Sequence, residues 1–185
     1  TKMGIKQKIT NGVRKILNVI QNLIMKLSRN KSKKVQFITK SAIIAAVYVL
    51  LSFIFAPISY GLLQVRIAEA LTVLPAYTPA AIPGLFIGCI ISNIIGGNGP
   101  LDIILGSIAT LIAALLSYKM PKRFLVPLPP IVVNALVVGY ILKVVLNVPF
   151  LVAMGWVAGG QTIACYGLGY PLMSQLDKLK RKGVL

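Results

Sequence analysis

The chain has 185 residues, of which 57% are hydrophobic and 12% charged; its mean hydropathy is +0.84 and its formal net charge +17. So apolar a composition excludes an ordinary soluble domain and marks an integral membrane protein. The basic residues sit at the ends of apolar spans instead of on one polar face, which argues against nucleic acid as a partner.

Residues 1–36 place Ile5, Ile9, Val13, Ile16, Leu17, Ile20, Leu23, Ile24 and Leu27 at helical spacing, with Lys6, Lys8, Arg14, Lys15, Lys26 and Arg29 between them. The pattern predicts a basic amphipathic helix lying on an anionic membrane surface, ended by Lys31-Ser32-Lys33-Lys34. A cleaved signal peptide fits poorly, because no uninterrupted apolar core follows the basic start; a mitochondrial presequence shares the same acid-free pattern. Residues 38–56 then form a first span, long enough to cross a hydrocarbon core of about 30 Å, and Ala56-Pro57 closes it. A loop through Tyr60 and Gly61 leads to a short helix over 66–76, ended by Pro75 and Pro79 and too short to cross a bilayer unaided. Interrupted segments of this kind are tolerated where they line a cavity instead of facing lipid.

The third span covers 79–95, and Gly96-Gly97-Asn98-Gly99-Pro100 is a tight turn that no continuous helix can pass. The fourth covers 101–118, with Asp102 in its first turn. A basic connection at 119–123 precedes the fifth span, which Pro127, Pro129 and Pro130 open, which runs to Leu146, and which carries Asn134 and Lys143. Asn147-Val148-Pro149 is a minimal turn, with Pro149 suited to a first helical turn. The sixth span continues to about Gln175. The expected organisation is therefore all-α: a basic amphipathic extension over 1–36, a domain of six transmembrane helices over 37–176 with a short second helix, and a basic tail over 177–185.

Eleven basic residues lie in positions 1–40, three in 119–123 and four in 178–182, so 18 of 20 fall on one side of six alternating segments. The positive-inside rule then puts both termini in the cytoplasm. Arg66, Asn98, Asp102 and Lys143 gather toward the outer face.

The acidic residues are Glu69, Asp102 and Asp177, and the first two stand inside the apolar body, where an ionisable side chain is a site hypothesis by default. Arg66 and Glu69, at i and i+3, share a helix face and either neutralise each other or line a site. Asp102 either caps its helix or joins Glu69 at one end of the bundle. Asn93, Asn134 and Gln161 are lone amides in apolar helices, explained by interhelical hydrogen bonds or by a polar pocket. Tyr60, Tyr140 and Trp156 are the aromatic candidates for stacking on a planar ligand, or for interfacial anchoring. Small residues recur at four-residue spacing in Ala42 and Ala46, Gly84 and Gly88, and Gly155 and Gly159, a spacing that admits close helix packing. Cys89 and Cys165 lie midway along apolar runs and there is no histidine, so they read as small core residues, with no disulfide, metal or cofactor. No Gly-rich phosphate loop ending in Lys-Ser or Lys-Thr is present, so the chain has no visible means of hydrolysing ATP.

Over about residues 38–176 the chain resembles the QueT-type substrate-binding (S) components of energy-coupling factor (ECF) importers, a family associated with uptake of queuosine precursors. The resemblance is carried by Ala56-Pro57-Ile58-Ser59-Tyr60-Gly61, by Gln64 to Pro75 around Arg66 and Glu69, and by Thr78-Pro79-Ala80-Ala81-Ile82-Pro83-Gly84. It continues through Asn93, Gly96-Gly97, Leu101-Asp102, Gly106-Ser107, Leu128-Pro129-Pro130, Asn134-Ala135-Leu136 and Cys165-Tyr166. Where the family pattern has Glu, position 161 here is Gln. The resemblance implies a six-helix S component in a bacterial-type plasma membrane, which captures substrate at its outer face and docks on a transmembrane coupling subunit driven by two ATPase subunits. It implies docking through Ala42 and Ala46, and a 7-deazaguanine-like substrate, whose N1–H and exocyclic amine form a donor pair matched to one carboxylate. Glu69 is the favoured acceptor, with Asn134 or Gln161 donating to the ring carbonyl and Trp156 or Tyr140 covering a ring face. The expected protein is a substrate-capture subunit without catalysis of its own. Two other classes stay open: an autonomous ion-coupled carrier, and a membrane enzyme using Glu69 and Asp102.

Overall fold

The computed structural model describes residues 33–59 and 65–181. The expectations for residues 1–32, for Tyr60, Gly61 and Gln64, and for residues 182–185 lie outside them. The chain divides into two units, Thr1–Lys40 and Ser41–Leu185, and the packing below is that of the second. Among the described residues every regular element is helical.

Helix α1, Lys33–Ile54, is 22 residues long, about 33 Å at the α-helical rise. It has no internal Gly or Pro, and it begins within the residues assigned above to the extension, since Lys, Val and Gln offer nothing that breaks a helix. Its buried positions are Ser41, Ala45, Tyr48 and Ser52, spaced by three and four on one face, while Ala42 and Ala46 are exposed on another. The buried face meets α2, Ala81–Ile95. A β-carbon placed on Gly84 would stand 2.7 Å from the Ser41 carbonyl oxygen, and one on Gly88 would stand 2.9 Å from Tyr48 Cβ. Only hydrogen fits at either position, and Ser41 Oγ completes the seam by donating to the Ala80 carbonyl at 2.8 Å. The spacing of Gly84 and Gly88 thus serves close backbone approach, as expected. Gly155 and Gly159 instead face open space.

The short second segment, Ile67–Ala76, is wound as a 3₁₀ helix of ten residues. At about 2.0 Å per residue it extends about 20 Å, further than an α-helix of that length. The winding continues through Pro75 to Ala76, because a proline this close to the end removes only one amide donor. The segment packs against α2, against the helix over Asp102–Tyr118 and against the middle of the last helix, and most of its residues are buried.

Helix α3, Asp102–Tyr118, follows a turn in which Gly97 takes a positive φ of 67°. Its first turn, Asp102–Gly106, is π-wound, and Asn93 Nδ2 donates to the Asp102 carbonyl at 2.9 Å. Helix α4, Leu128–Leu146, packs on α3 and on α5, Phe150–Arg181. Asn147, left-handed at φ 53°, makes the turn between α4 and α5. A β-carbon on Gly139 would stand 3.0 Å from Met154 Cα, so α4 and α5 are also closely apposed. Within α5 a second π-wound stretch, Ile163–Gly169, lies against the 3₁₀ segment, with Gly169 facing Val73 and the Ala70 carbonyl.

At the opposite end of α3 from Asp102, Arg123 Nη1 pairs with Asp177 Oδ2 at 2.8 Å, and the Tyr77 hydroxyl donates to Asp177 Oδ1 at 2.7 Å. The Arg123 guanidinium also stacks on the Tyr170 ring at 4.8 Å. Burial, and the carboxylate it donates to, push the Tyr77 hydroxyl above its usual pKa. Asp177, assigned to the tail above, is thus an anchor, and α5 runs beyond it with Lys178, Lys180 and Arg181 in its last turn, where cations favour a helix terminus.

Among the described residues, three stretches are long and apolar enough to cross a membrane by length and composition: α1, Arg123–Leu146 and α5. The other three apolar helices, Ile67–Ala76, α2 and α3, are shorter. Large apolar side chains such as Phe53, Ile54, Val145 and Leu151 are more than half exposed, a surface suited to lipid.

Candidate functional site

The 3₁₀ winding decides which residues share a face. At three residues per turn, positions i and i+3 lie directly above one another. Glu69, Thr72 and Pro75 therefore form one edge and all are buried, as is Arg66, the extended residue just before the segment. Glu69 is 1% exposed, and its carboxylate is held from two helices. The Tyr48 hydroxyl of α1 donates to Oε1 at 2.5 Å, and the Asn134 amide of α4 donates to Oε2 at 3.3 Å. The Glu69 carbonyl is also satisfied, by Thr72 Oγ1 at 2.6 Å and by the Cys165 thiol at 3.6 Å.

Arg66, three residues earlier, turns to a different carboxylate. Its Nη2 lies 3.6 Å from Asp102 Oδ1 on α3. Asp102 begins its helix, yet its side chain faces the guanidinium, and Oδ1 is buried without a hydrogen-bond partner among the described residues. Asn93, fully buried, holds the turn beside it: its amide donates to the Asp102 carbonyl, and its oxygen accepts from Asn98 Nδ2 at 3.0 Å.

Six of the expected residues therefore come together: Arg66, Glu69, Asn93, Asp102 and Asn134 directly, and Gln161 through Cys165, whose thiol reaches Gln161 Oε1 at 3.6 Å. Asn134 is spent in part on Glu69 instead of standing free for a ligand carbonyl. Gln161 is 2% exposed. Trp156 is part-buried on α5. Tyr140 is 52% exposed and looks away from the buried α4 face that carries Asn134, Val138 and Ile141.

Tyr48 and Thr72 are polar members of the cluster that the sequence reading did not single out, and Cys165 is one that it read only as core. Tyr48 had a legible signal, for Ser41, Ala45, Tyr48 and Ser52 form a small and polar stripe at helical spacing in a span otherwise rich in Val, Leu and Ile. Cys165 was read as core, and it is fully buried, but it also bonds the backbone at Glu69.

Chemically, the cluster offers acceptors. An ionised carboxylate has about four acceptor positions, and the two donors on Glu69 leave it able to take two more. Among the described residues no group of His, Cys, Asp or Glu side chains is arranged to hold a metal ion. A separate groove, lined by Val49, Phe53, Ala56, Ser92, Ile95 and Gly96, runs between the ends of α1 and α2 and includes none of the cluster.

Because Tyr48 donates to a buried charge, Tyr48→Phe should destabilise the detergent-solubilised protein by about 1.5–3 kcal/mol. That corresponds to a fall on the order of 5 °C in the thermal midpoint. Tyr140→Phe, at an exposed position, should stay within about 0.5 kcal/mol of the parent; equal midpoints for the two variants would refute the assigned role of Tyr48.

Comparison with known proteins identifies the family. The family model described as "QueT transporter" matches residues 38–178. The chain is also 28% identical over 164 residues to "Queuosine precursor transporter QueT" of Lactococcus lactis subsp. cremoris (strain MG1363), covering 80% of this chain and 96% of that protein. No solved structure matches. A match spanning five helices and the buried polar cluster they enclose shows that this multi-pass protein of the bacterial plasma membrane belongs to the QueT transporter family.

Proposed function

We propose that the protein is the substrate-capture subunit of an ATP-driven ECF-type importer, binding a queuosine precursor of the 7-deazaguanine type at its outer face and performing no catalysis. The observation that carries this reading is the Glu69 carboxylate: fully enclosed, oriented by Tyr48 and Asn134, and still able to accept two hydrogen bonds. The edge of a deazaguanine ring presents two parallel donors, N1–H and the exocyclic amine, which one carboxylate can take together. Gln161 or the remaining amide hydrogen of Asn134 would serve the ring carbonyl. The relative's name speaks of a queuosine precursor.

In this reading six segments cross the membrane, both termini are cytoplasmic, and the basic end of the bundle, with Lys119, Lys122, Lys178 and Arg181, faces the ATPases. Docking on the coupling subunit uses α1. Ala42 and Ala46 are exposed there, on a different face from Ser41, Ala45 and Tyr48, so a partner helix can approach closely without touching the seam with α2.

Three experiments test the components separately. In a variant lacking Cys89 and Cys165, single cysteines at Asn98 and Asn147 should be labelled from outside intact cells and one at Lys122 should not; labelling at Lys122 would overturn the topology. Replacing Ala42 and Ala46 with Leu should abolish uptake in vesicles containing the coupling and ATPase subunits while leaving ligand binding nearly intact. Uptake by the chain reconstituted alone, following an ion gradient, would replace the importer reading with that of a carrier. Glu69→Gln should weaken binding of a guanine-type 7-deazapurine by at least about tenfold in calorimetric titration, because half of a buried charge-assisted pair is lost. Unchanged affinity in a folded Glu69→Gln protein would remove Glu69 from the site.

A further inference from the structure

The end of the bundle opposite Asp102 carries an excess of positive charge. Among the described residues it holds Lys119, Lys122 and Arg123, in the connection before α4, and Lys178, Lys180 and Arg181, at the end of α5. The fold brings the two groups together: Arg123 Nη1 pairs with Asp177 Oδ2 at 2.8 Å, which makes Lys122 and Lys178 the chain neighbours of one ion pair. Asp177, the carboxylate at this end, is spent on Arg123 and on the Tyr77 hydroxyl. Lys119, Lys122, Lys178, Lys180 and Arg181 are exposed, and among the described residues no ion pair includes them.

Next to these cations the surface turns apolar. The π-wound stretch Ile163–Gly169 buries Ala164, Cys165 and Gly169 against the bundle and leaves Ile163 and Leu168 exposed. A β-carbon on Gly167 would meet nothing, so the surface is open at that point. Phe124, 64% exposed, lies against the Tyr166 ring at 5.4 Å, and the Arg123 guanidinium stacks on the exposed Tyr170 ring. Along α5 the order is thus apolar at Ile163, aromatic at Tyr166 and Tyr170, and cationic from Lys178, over about 20 Å at the helical rise. One leaflet, half of a bilayer about 40–45 Å thick, has the same depth. It also has the same order of chemistry, from hydrocarbon through an interface that favours aromatic rings to charged headgroups.

We propose that this surface binds an anionic phospholipid. Lys122 and Lys178 hold its phosphate beside the Arg123–Asp177 pair, Phe124 and Tyr170 lie at the level of the glycerol, and the acyl chains run along Ile163 and Leu168. An acidic protein surface would engage the cations and leave the apolar part uncovered. A zwitterionic lipid would cover the apolar part and bring no net charge against the excess. A lipid with net negative charge answers both, and each Lys or Arg at an anionic headgroup layer contributes about fivefold in affinity.

The test is titration of the full chain in detergent with dioleoyl phosphatidylglycerol and dioleoyl phosphatidylcholine, read as lipid retained in native mass spectrometry. Phosphatidylglycerol should bind more tightly. Lys122→Gln and Lys178→Gln together should lower its affinity by at least about tenfold and leave phosphatidylcholine unchanged. Lys143→Gln, in the last turn of α4 at the other end of that helix, should change neither and controls for net charge. All three lysines are exposed, so these substitutions leave folding intact. Equal affinity for the two lipids in the unmodified chain would overturn the proposal. A preference that survives the double substitution, or that falls equally in Lys143→Gln, would also overturn it, by assigning the preference to the charge of the whole chain, the basic residues 1–36 included. Binding of sn-glycerol 3-phosphate as tightly as the lipid would replace the lipid site with a site for a free anion. Loss of uptake in the double variant with lipid binding unchanged would give these cations to a protein partner instead.

Discussion

Glu69 lies 1% exposed among membrane helices, and a carboxylate so placed is tolerable only while donors surround it. Tyr48 comes from α1 and Asn134 from α4, so the carboxylate ties together elements far apart in sequence. Removing either donor leaves a buried charge less satisfied, which is why the positions of these helices depend on one side chain. The close seam between α1 and α2 at Gly84 and Gly88 follows the same logic: it brings Tyr48 deep enough for its hydroxyl to reach the 3₁₀ segment.

The irregular windings concentrate where the polar groups are. The segment carrying Glu69 is 3₁₀, and the stretches Asp102–Gly106 and Ile163–Gly169 are π-wound. Each departure from α geometry frees or displaces backbone carbonyls, and in this protein side chains take them up: Asn93 bonds the Asp102 carbonyl, and Thr72 and Cys165 bond that of Glu69. In a membrane interior such backbone survives only where protein groups satisfy it. The amides and thiols of the spans thus do structural work with the same atoms that the proposed site would present.

Helix α1 presents two faces with different partners. Its Ser41, Ala45, Tyr48 and Ser52 face is spent within the bundle, whereas Ala42 and Ala46 are free of it. At the other end of the bundle, Arg123, Asp177 and Tyr77 join the connection before α4, the end of α5 and the end of the 3₁₀ segment. Ion pairing and an aromatic stack there hold the polar termini together, as the carboxylate network holds the opposite end.

The membrane character, the positions of the helices and the family all follow from the sequence, because hydropathy, turn residues and motif order are local properties that survive any arrangement of the helices. The candidacy of Arg66, Glu69, Asn93, Asp102, Asn134 and Gln161 was legible for the same reason: polar groups in apolar spans stand out one residue at a time. Their pairing was not. Arg66 and Glu69 at i and i+3 left open a mutual ion pair, but Arg66 precedes the 3₁₀ segment in extended backbone and the approach of α3 gives it the carboxylate of Asp102, while the fold gives Glu69 to Tyr48 and Asn134. Tyr140 matched Trp156 as an aromatic candidate until the rotation of α4 turned it outward, and Asp177 read as tail until Arg123 and Tyr77 enclosed it. Which way a side chain points depends on winding and helix rotation, and these are set by contacts between residues up to about a hundred positions apart, such as Tyr77 with Asp177; only the tertiary structure decides them.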